Sequence, residues 1–167
     1  DASSVRAKSG LLHFPDFDLP LRDMRVSTVQ FRGNRLDFSN VKGFCLNSLV
    51  TGYGNIKFKN QGAYQITANV DAPKDTWPER LDRLPFQTPA IKAKVQLRGK
   101  LSEPITLIDG TTGPFQAYDY AISKASSKLE IDQDGVHLDQ TRLNVASGTI
   151  LTSGHYRFQE KTIQLSS

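Results

Sequence analysis

Apolar and polar residues alternate with period two along most of this chain, in short runs broken by turn residues, a rhythm that belongs to strands with one greasy and one wet face. The clearest run is Ile91-Lys92-Ala93-Lys94-Val95-Gln96-Leu97-Arg98, apolar at odd positions and polar at even ones. Val29 and Phe31 alternate with Gln30 and Arg32, Leu36 and Phe38 resume after Gly33-Asn34, and Tyr64, Ile66, Ala68 and Val70 share one side of residues 63–71. Further runs are Phe44 to Val50, Asn55 to Lys59, Ile105 to Ile108 and Tyr118 to Ile122. The last forty residues repeat the texture through Lys128 to Asp132, Val136 to Val145, Gly148 to Phe158 and Ile163 to Leu165. The pattern predicts an all-β fold, a long antiparallel meander.

Turn chemistry divides the runs. Asn60-Gln61-Gly62, Asp109-Gly110, the loop at 111–114 and Asp132-Gln133-Asp134-Gly135 read as hairpin connections. Pro15 and Pro20 predict one short opening strand followed by an extended connector or edge segment. One helical signal interrupts the series at 75–85: Thr76 precedes Glu79 as in a capping box, Pro78 suits a first turn and Pro85 stops the element. This predicts a short helix near 76–84 with Trp77, Leu81 and Leu84 on one side, either a lid on the sheet or a means of resting Trp77 at a lipid interface.

Two echoes suggest internal repetition. Val29-Gln30-Phe31-Arg32-Gly33-Asn34 resembles Val95-Gln96-Leu97-Arg98-Gly99-Lys100, and Gly54-Asn55-Ile56-Lys57-Phe58 resembles Gly154-His155-Tyr156-Arg157-Phe158. A glycine inside a strand pattern marks a bulge or sharp bend, and such bends let a long sheet curl. Two amphipathic halves folded toward each other then leave a closed sandwich core or, if held apart, a trough lined by side chains.

Composition sets bounds. The chain has 167 residues, with 21 Lys and Arg against 17 Asp and Glu, a net charge of +4 that reads as spread along the length. That mild field favours anionic lipid over nucleic acid. The single Cys45 excludes an internal disulfide and reads as a small buried apolar residue. No run approaches the roughly 18 apolar residues of a membrane span, and Asp1-Ala2-Ser3-Ser4 lacks a signal-peptide layout.

The sequence predicts no enzyme. G-x-S-x-G, P-loop, H-E-x-x-H and dinucleotide motifs are absent from it, and His13, His137 and His155 have no ligand spacing to each other or to a cysteine. Asp16 with Asp18 and Asp132 with Asp134 are the paired carboxylates, but the second pair lacks the later glutamate of a calcium loop. No catalytic residue, metal site or cofactor is expected.

The run Ala93 to Pro104, a strand ending in Gly99 and followed by Pro104, and the run Ala146 to Phe158, short strands punctuated by Gly148 and Gly154, resemble the AsmA-like superfamily and within it the TamB branch with its chloroplast-envelope relatives. The likeness covers residues 26–71 and 91–165. It implies a U-shaped trough (β-taco) with an apolar interior, in which 1–167 is a single β-rich domain and a piece of a longer repetitive envelope protein, with a helical insertion at 75–85. It implies a periplasmic location with an inner-membrane anchor elsewhere in the polypeptide, or the intermembrane space of a plastid envelope. The implied partners are phospholipid acyl chains and an Omp85-type barrel protein, in phospholipid transport to the outer membrane and outer-membrane protein assembly, with no nucleic acid.

On that reading the groove lining is Val29, Phe31, Leu36, Phe38, Ile56, Phe58, Tyr64, Ile66, Val95, Leu97, Tyr118, Tyr120, Ile122, Leu129, Ile131, Leu143, Val145, Tyr156 and Phe158. The alternative use of the same residues is ordinary core packing, and a large unfilled apolar surface separates the two. A second function of another class is a structural module that binds a barrel partner or client strands at its sheet edges, and a third is a sandwich that binds carbohydrate through Trp77, Tyr118 and Tyr120. Exposed edges also predict edge-to-edge self-association.

Overall fold

The computed structural model describes residues 3–13, 18–59, 62–74, 76, 88–100 and 102–166. Twelve strands follow one another: β1 (Ser3–His13), β2 (Asp18–Arg32), β3 (Arg35–Cys45), β4 (Ser48–Lys57), β5 (Tyr64–Ala72), β6 (Ile91–Lys100), β7 (Glu103–Thr112), β8 (Phe115–Ala117), β9 (Tyr120–Ile131), β10 (Gly135–Val145), β11 (Gly148–Arg157) and β12 (Thr162–Ser166). They form one open antiparallel sheet in sequence order, with short β8 hung on β9 beside the path. No helix occurs among the described residues. The predicted helix lies outside them except for Thr76, whose hydroxyl donates to the Pro73 carbonyl at 2.6 Å.

Each strand touches only its ladder neighbours. The described part of the sheet is therefore a single layer. Of its described hydrophobic residues only Ala72 and Ile122 are buried, and no large side chain is completely so. The alternating sequence explains the ladder, because every strand offers one apolar and one polar edge of side chains to the strand beside it.

Several turns differ from the sequence reading. Phe44 to Val50 is not one strand: a hairpin turn at Leu46-Asn47 separates β3 from β4, with Leu46 at φ 55° and its N–H donating to the Pro20 carbonyl. Asp109-Gly110 is not a turn either. It lies inside β7, where Asp109 stands opposite Lys94 on one side and Lys128 on the other. Pro20 is paired with Leu11 near the start of β2, so the proline begins a strand rather than ending one.

The second sequence echo marks a larger repeat. In β3–β4 the pairs are Leu36↔Ile56, Phe38↔Gly54 and Cys45↔Ser48, with a bulge between Phe38 and Val41. In β10–β11 they are Val136↔Tyr156, Leu138↔Gly154 and Val145↔Gly148, with a bulge between Leu138 and Thr141. The offset is 100 residues at every pair. It extends to the preceding strands, since Phe31↔Leu36 and Val29↔Phe38 match Ile131↔Val136 and Leu129↔Leu138. The first echo is not structural: Val29 corresponds to Leu129, not Val95. The bends are also not at the glycines. They fall at Asn40 (φ 53°) and Gln140 (φ 50°), whereas Gly54 and Gly154 stand in regular pairs.

Candidate functional site

Residues directly opposite one another in a ladder project from the same face, so the registers carry one face across the whole sheet. One row runs Val29, Phe38, Gly54, Ile66, Leu97, Thr106, Ile131, Val136, Tyr156, Ile163. A second, beside it, runs Val5, Val26, Val41, Gly52, Ala68, Val95, Ile108, Leu129, Leu138, Gly154, Leu165. At about 4.8 Å between strands, the eleven strands of the second row make a band about 48 Å long.

The structure brings the sequence-derived set onto this face. Phe31, Leu36, Ile56 and Tyr64 form a third row at one margin, and Phe58 stacks on Phe31 with ring centroids 6.4 Å apart. Tyr156 meets Phe158 edge to face at 5.8 Å. Leu143 and Val145 lie on the same face of β10, with Val145 opposite Ile122. Two members fit less well. Tyr118 is in the β8–β9 turn at φ 51°, and Ile122, opposite Val145 on the same face, is only 7% exposed and offers little surface to a ligand. Tyr120 is paired with Ala117 at the same hairpin and is exposed.

Sequence reasoning missed Val26, Val41, Val50, Ala68, Val70, Ala93, Ile108, Val136, Leu138, Ile163 and Leu165, which complete the band. The signal was there for Ala68 and Val70, already grouped with Ile66. For Val26 and Val41 it was hidden, because the bulges shift the parity of their strands.

The band is not covered by other described residues. Its members are half-exposed through most of the sheet and bare toward the ends, where Phe31 is 71%, Ile163 69% and Leu165 72% exposed. Burial by ladder neighbours leaves part of these side chains free to meet an apolar partner.

The opposite face is mostly polar, though Phe44, Tyr53, Leu107 and Leu151 also lie on it. It carries three shallow clefts of about 710, 430 and 410 Å³. The largest is lined by Asp109, Lys128, Asp139 and Arg142 among others, the second by Gln30, Asp37, Tyr53, Thr67 and Gln96. His137 and His155, far apart in sequence, stand directly opposite each other there with ring centroids 6.3 Å apart, and His137 Nε2 is 3.6 Å from Asp132 Oδ2. Among the described residues no three His, Cys, Asp or Glu side chains cluster as metal ligands would. Asp132 serves the hairpin, its Oδ1 accepting from the N–H groups of Asp134 and Gly135.

Cys45 is half-buried, and burial pushes its thiol above the ordinary range. Glu160, fully exposed in the β11–β12 turn, is held below the ordinary carboxyl range by hydrogen bonds from Arg157 and Thr162. No family model, curated protein or solved structure matches this chain, so the site is read from its own geometry.

Proposed function

We propose that the apolar face shields acyl chains, making this chain a segment of a lipid conduit of the TamB type, periplasmic or in a plastid envelope, that works in phospholipid transport and outer-membrane assembly. The observation that supports this reading is the continuous apolar band, two to three residues deep and about 48 Å long, left open to solvent along one face of an unclosed sheet. A lipid tail moved through water costs about 0.8 kcal/mol for each CH₂ exposed. Aliphatic and aromatic side chains at alternate positions remove most of that cost without specific contacts. Head groups stay in solvent at the rim, within reach of Lys and Arg.

Photo-crosslinking from Phe31 or Tyr120, read together with mass spectrometry of co-purifying lipid, tests it. Adducts to acyl chains are expected. Adducts to protein alone sink the conduit and favour the second reading, an interaction module. The outer strands β1 and β12 support that alternative, since each carries a ladder edge that β-augmentation by a barrel protein or client strand would use.

A further inference from the structure

The net charge is not spread along the molecule. Residues 1–59 hold nine Lys and Arg against five Asp and Glu, while residues 60–167 hold twelve of each. The whole +4 therefore belongs to the segment that forms β1–β4.

The registers show how differently the two parts treat their cations. Across β5–β10 four of the seven cations stand opposite a carboxylate, in the pairs Asp71 with Lys92, Lys94 with Asp109, Asp109 with Lys128, Lys128 with Asp139, and Lys100 with Glu103, while Arg98, Lys124 and Arg142 stand opposite uncharged residues and none opposite another cation. Across β1–β3 Arg6 stands opposite Arg25 and Arg25 opposite Lys42, and across β2–β4 Arg32 stands opposite Arg35 and Arg35 opposite Lys57. All six side chains are exposed. Arg35 is tempered by Asp37 at 2.6 Å, but Arg6, Arg25 and Lys42 have no acidic partner among the described residues. Like charges directly opposite destabilise a sheet.

The fold does not require this. In the repeated unit, Asp132 occupies the place of Arg32 and Gly135 that of Arg35, while Arg142, in the place of Lys42, faces Ser126 and Leu151 instead of another cation. The same hairpins form without the opposed cations. A repulsive arrangement kept in one copy and absent from the other calls for an external anion.

We propose that the polar face of β1–β4 docks on an anionic membrane surface, with Arg6, Arg25 and Lys42 as its main contact and Arg32, Arg35 and Lys57 as a second row. The two rows are seven residues apart on both β2 and β3. Such a two-dimensional array suits a plane of phosphates, whereas a linear polyanion would follow one row. Phe44, exposed on the same face between Arg22 and Leu49, adds an apolar contact at the bilayer interface. This docking does not depend on the acyl-chain reading, because it uses the other face.

The test is flotation of the full chain with phosphatidylcholine vesicles, with and without phosphatidylglycerol. Binding should require phosphatidylglycerol and fall steeply as salt rises from about 50 to about 200 mM. Arg25→Glu places a carboxylate between Arg6 and Lys42. It should weaken binding about twenty-five-fold, fivefold for each unit of charge, while the melting temperature rises. Arg6→Gln with Lys42→Gln, which leaves no repulsion or new pairing to confuse folding, should give a similar loss. Lys128→Gln should change binding less than twofold. Undiminished flotation of Arg25→Glu, or equal binding to pure phosphatidylcholine, overturns the proposal. So does tighter binding to a single-stranded oligonucleotide with the same salt dependence, which would make this a nucleic-acid surface.

Discussion

At Gly54 a side-chain carbon would come within 2.7 Å of the Gln65 carbonyl oxygen, 2.9 Å of the Ile66 Cα and 2.9 Å of the Phe38 ring. Two of those three neighbours are backbone and cannot yield, so the glycine is there for close approach: the Phe38 ring covers the place a side chain would take. Gly54→Ala should cost about 1–3 kcal/mol in urea unfolding, and Gly154→Ala, facing the Gln164 oxygen at 2.6 Å, should cost as much. Gly110→Ala is the contrast, since its nearest neighbour is 3.8 Å away; it should be neutral or stabilise by up to about 1 kcal/mol through the unfolded chain. At Cys45 the raised thiol pKa has a definite sign. The folded state favours the neutral thiol, so its stability contribution is intact below the ordinary thiol pKa and declines as pH rises through the folded value. Iodoacetamide should label native Cys45 more slowly than the urea-unfolded chain at mildly alkaline pH, and equal rates would contradict the burial. The apolar face was legible from alternation where the strands are regular, as at Val95 and Leu97, and hidden at Val26 and Val41, where bulges shift the parity. The role of these glycines was not legible, because sequence shows a missing side chain but not the carbonyl that needs its space.

Among the elements, the bulges decide which residues share a face. Phe38 and Val41 project together only because Ser39 and Asn40 supply an extra residue, and Leu138 and Thr141 do so through Asp139 and Gln140. Both bulges put a non-glycine residue in the left-handed region, Asn40 at 53° and Gln140 at 50°. Asparagine tolerates that conformation through local hydrogen bonding, and glutamine does not. Gln140→Gly should therefore stabilise the sheet by up to about 1 kcal/mol, while Asn40→Gly should be near neutral, as read by the shift in denaturation midpoint. Equal effects would show that the bulges, not their residues, set the cost. The strands β5 and β6 were readable almost to the residue, since their ladder runs from Tyr64↔Gly99 to Ala72↔Ile91 without a shift. The β3–β4 turn was not, because Leu46-Asn47 has no glycine or proline to announce it. The 100-residue repeat showed in sequence only where Gly54-Asn55-Ile56-Lys57-Phe58 kept its texture; elsewhere, as at Arg35 and Gly135, the register is preserved and the residue types are not.

For the whole molecule the repeat specifies what its outer edges are shaped to receive. By position β12 corresponds to β5, for Gly154↔Leu165 matches Gly54↔Ile66, and β1 corresponds to β7, each preceding the strand that begins the repeated hairpins. Within the sheet, β5 and β7 are the two neighbours of β6, one on each side and both antiparallel to it. The free sides of β12 and β1 are thus of the kind that β6 occupies in the interior, and both suit one alternating strand running antiparallel to them. Direct joining of β12 to β1 of a second copy would instead be parallel, a weaker ladder. Self-association through the edges is expected to grow with concentration, and a peptide of residues 91–100, Ile91-Lys92-Ala93-Lys94-Val95-Gln96-Leu97-Arg98-Gly99-Lys100, should suppress it by occupying them. A peptide of the same composition with its alternation scrambled should not, because a one-residue change of parity turns its apolar side chains to the polar face. Sedimentation velocity with and without each peptide reads the outcome. Monomeric behaviour at every concentration, or equal action by both peptides, would show that these edges select no strand and that the sheet's continuation rests on something other than its ladder.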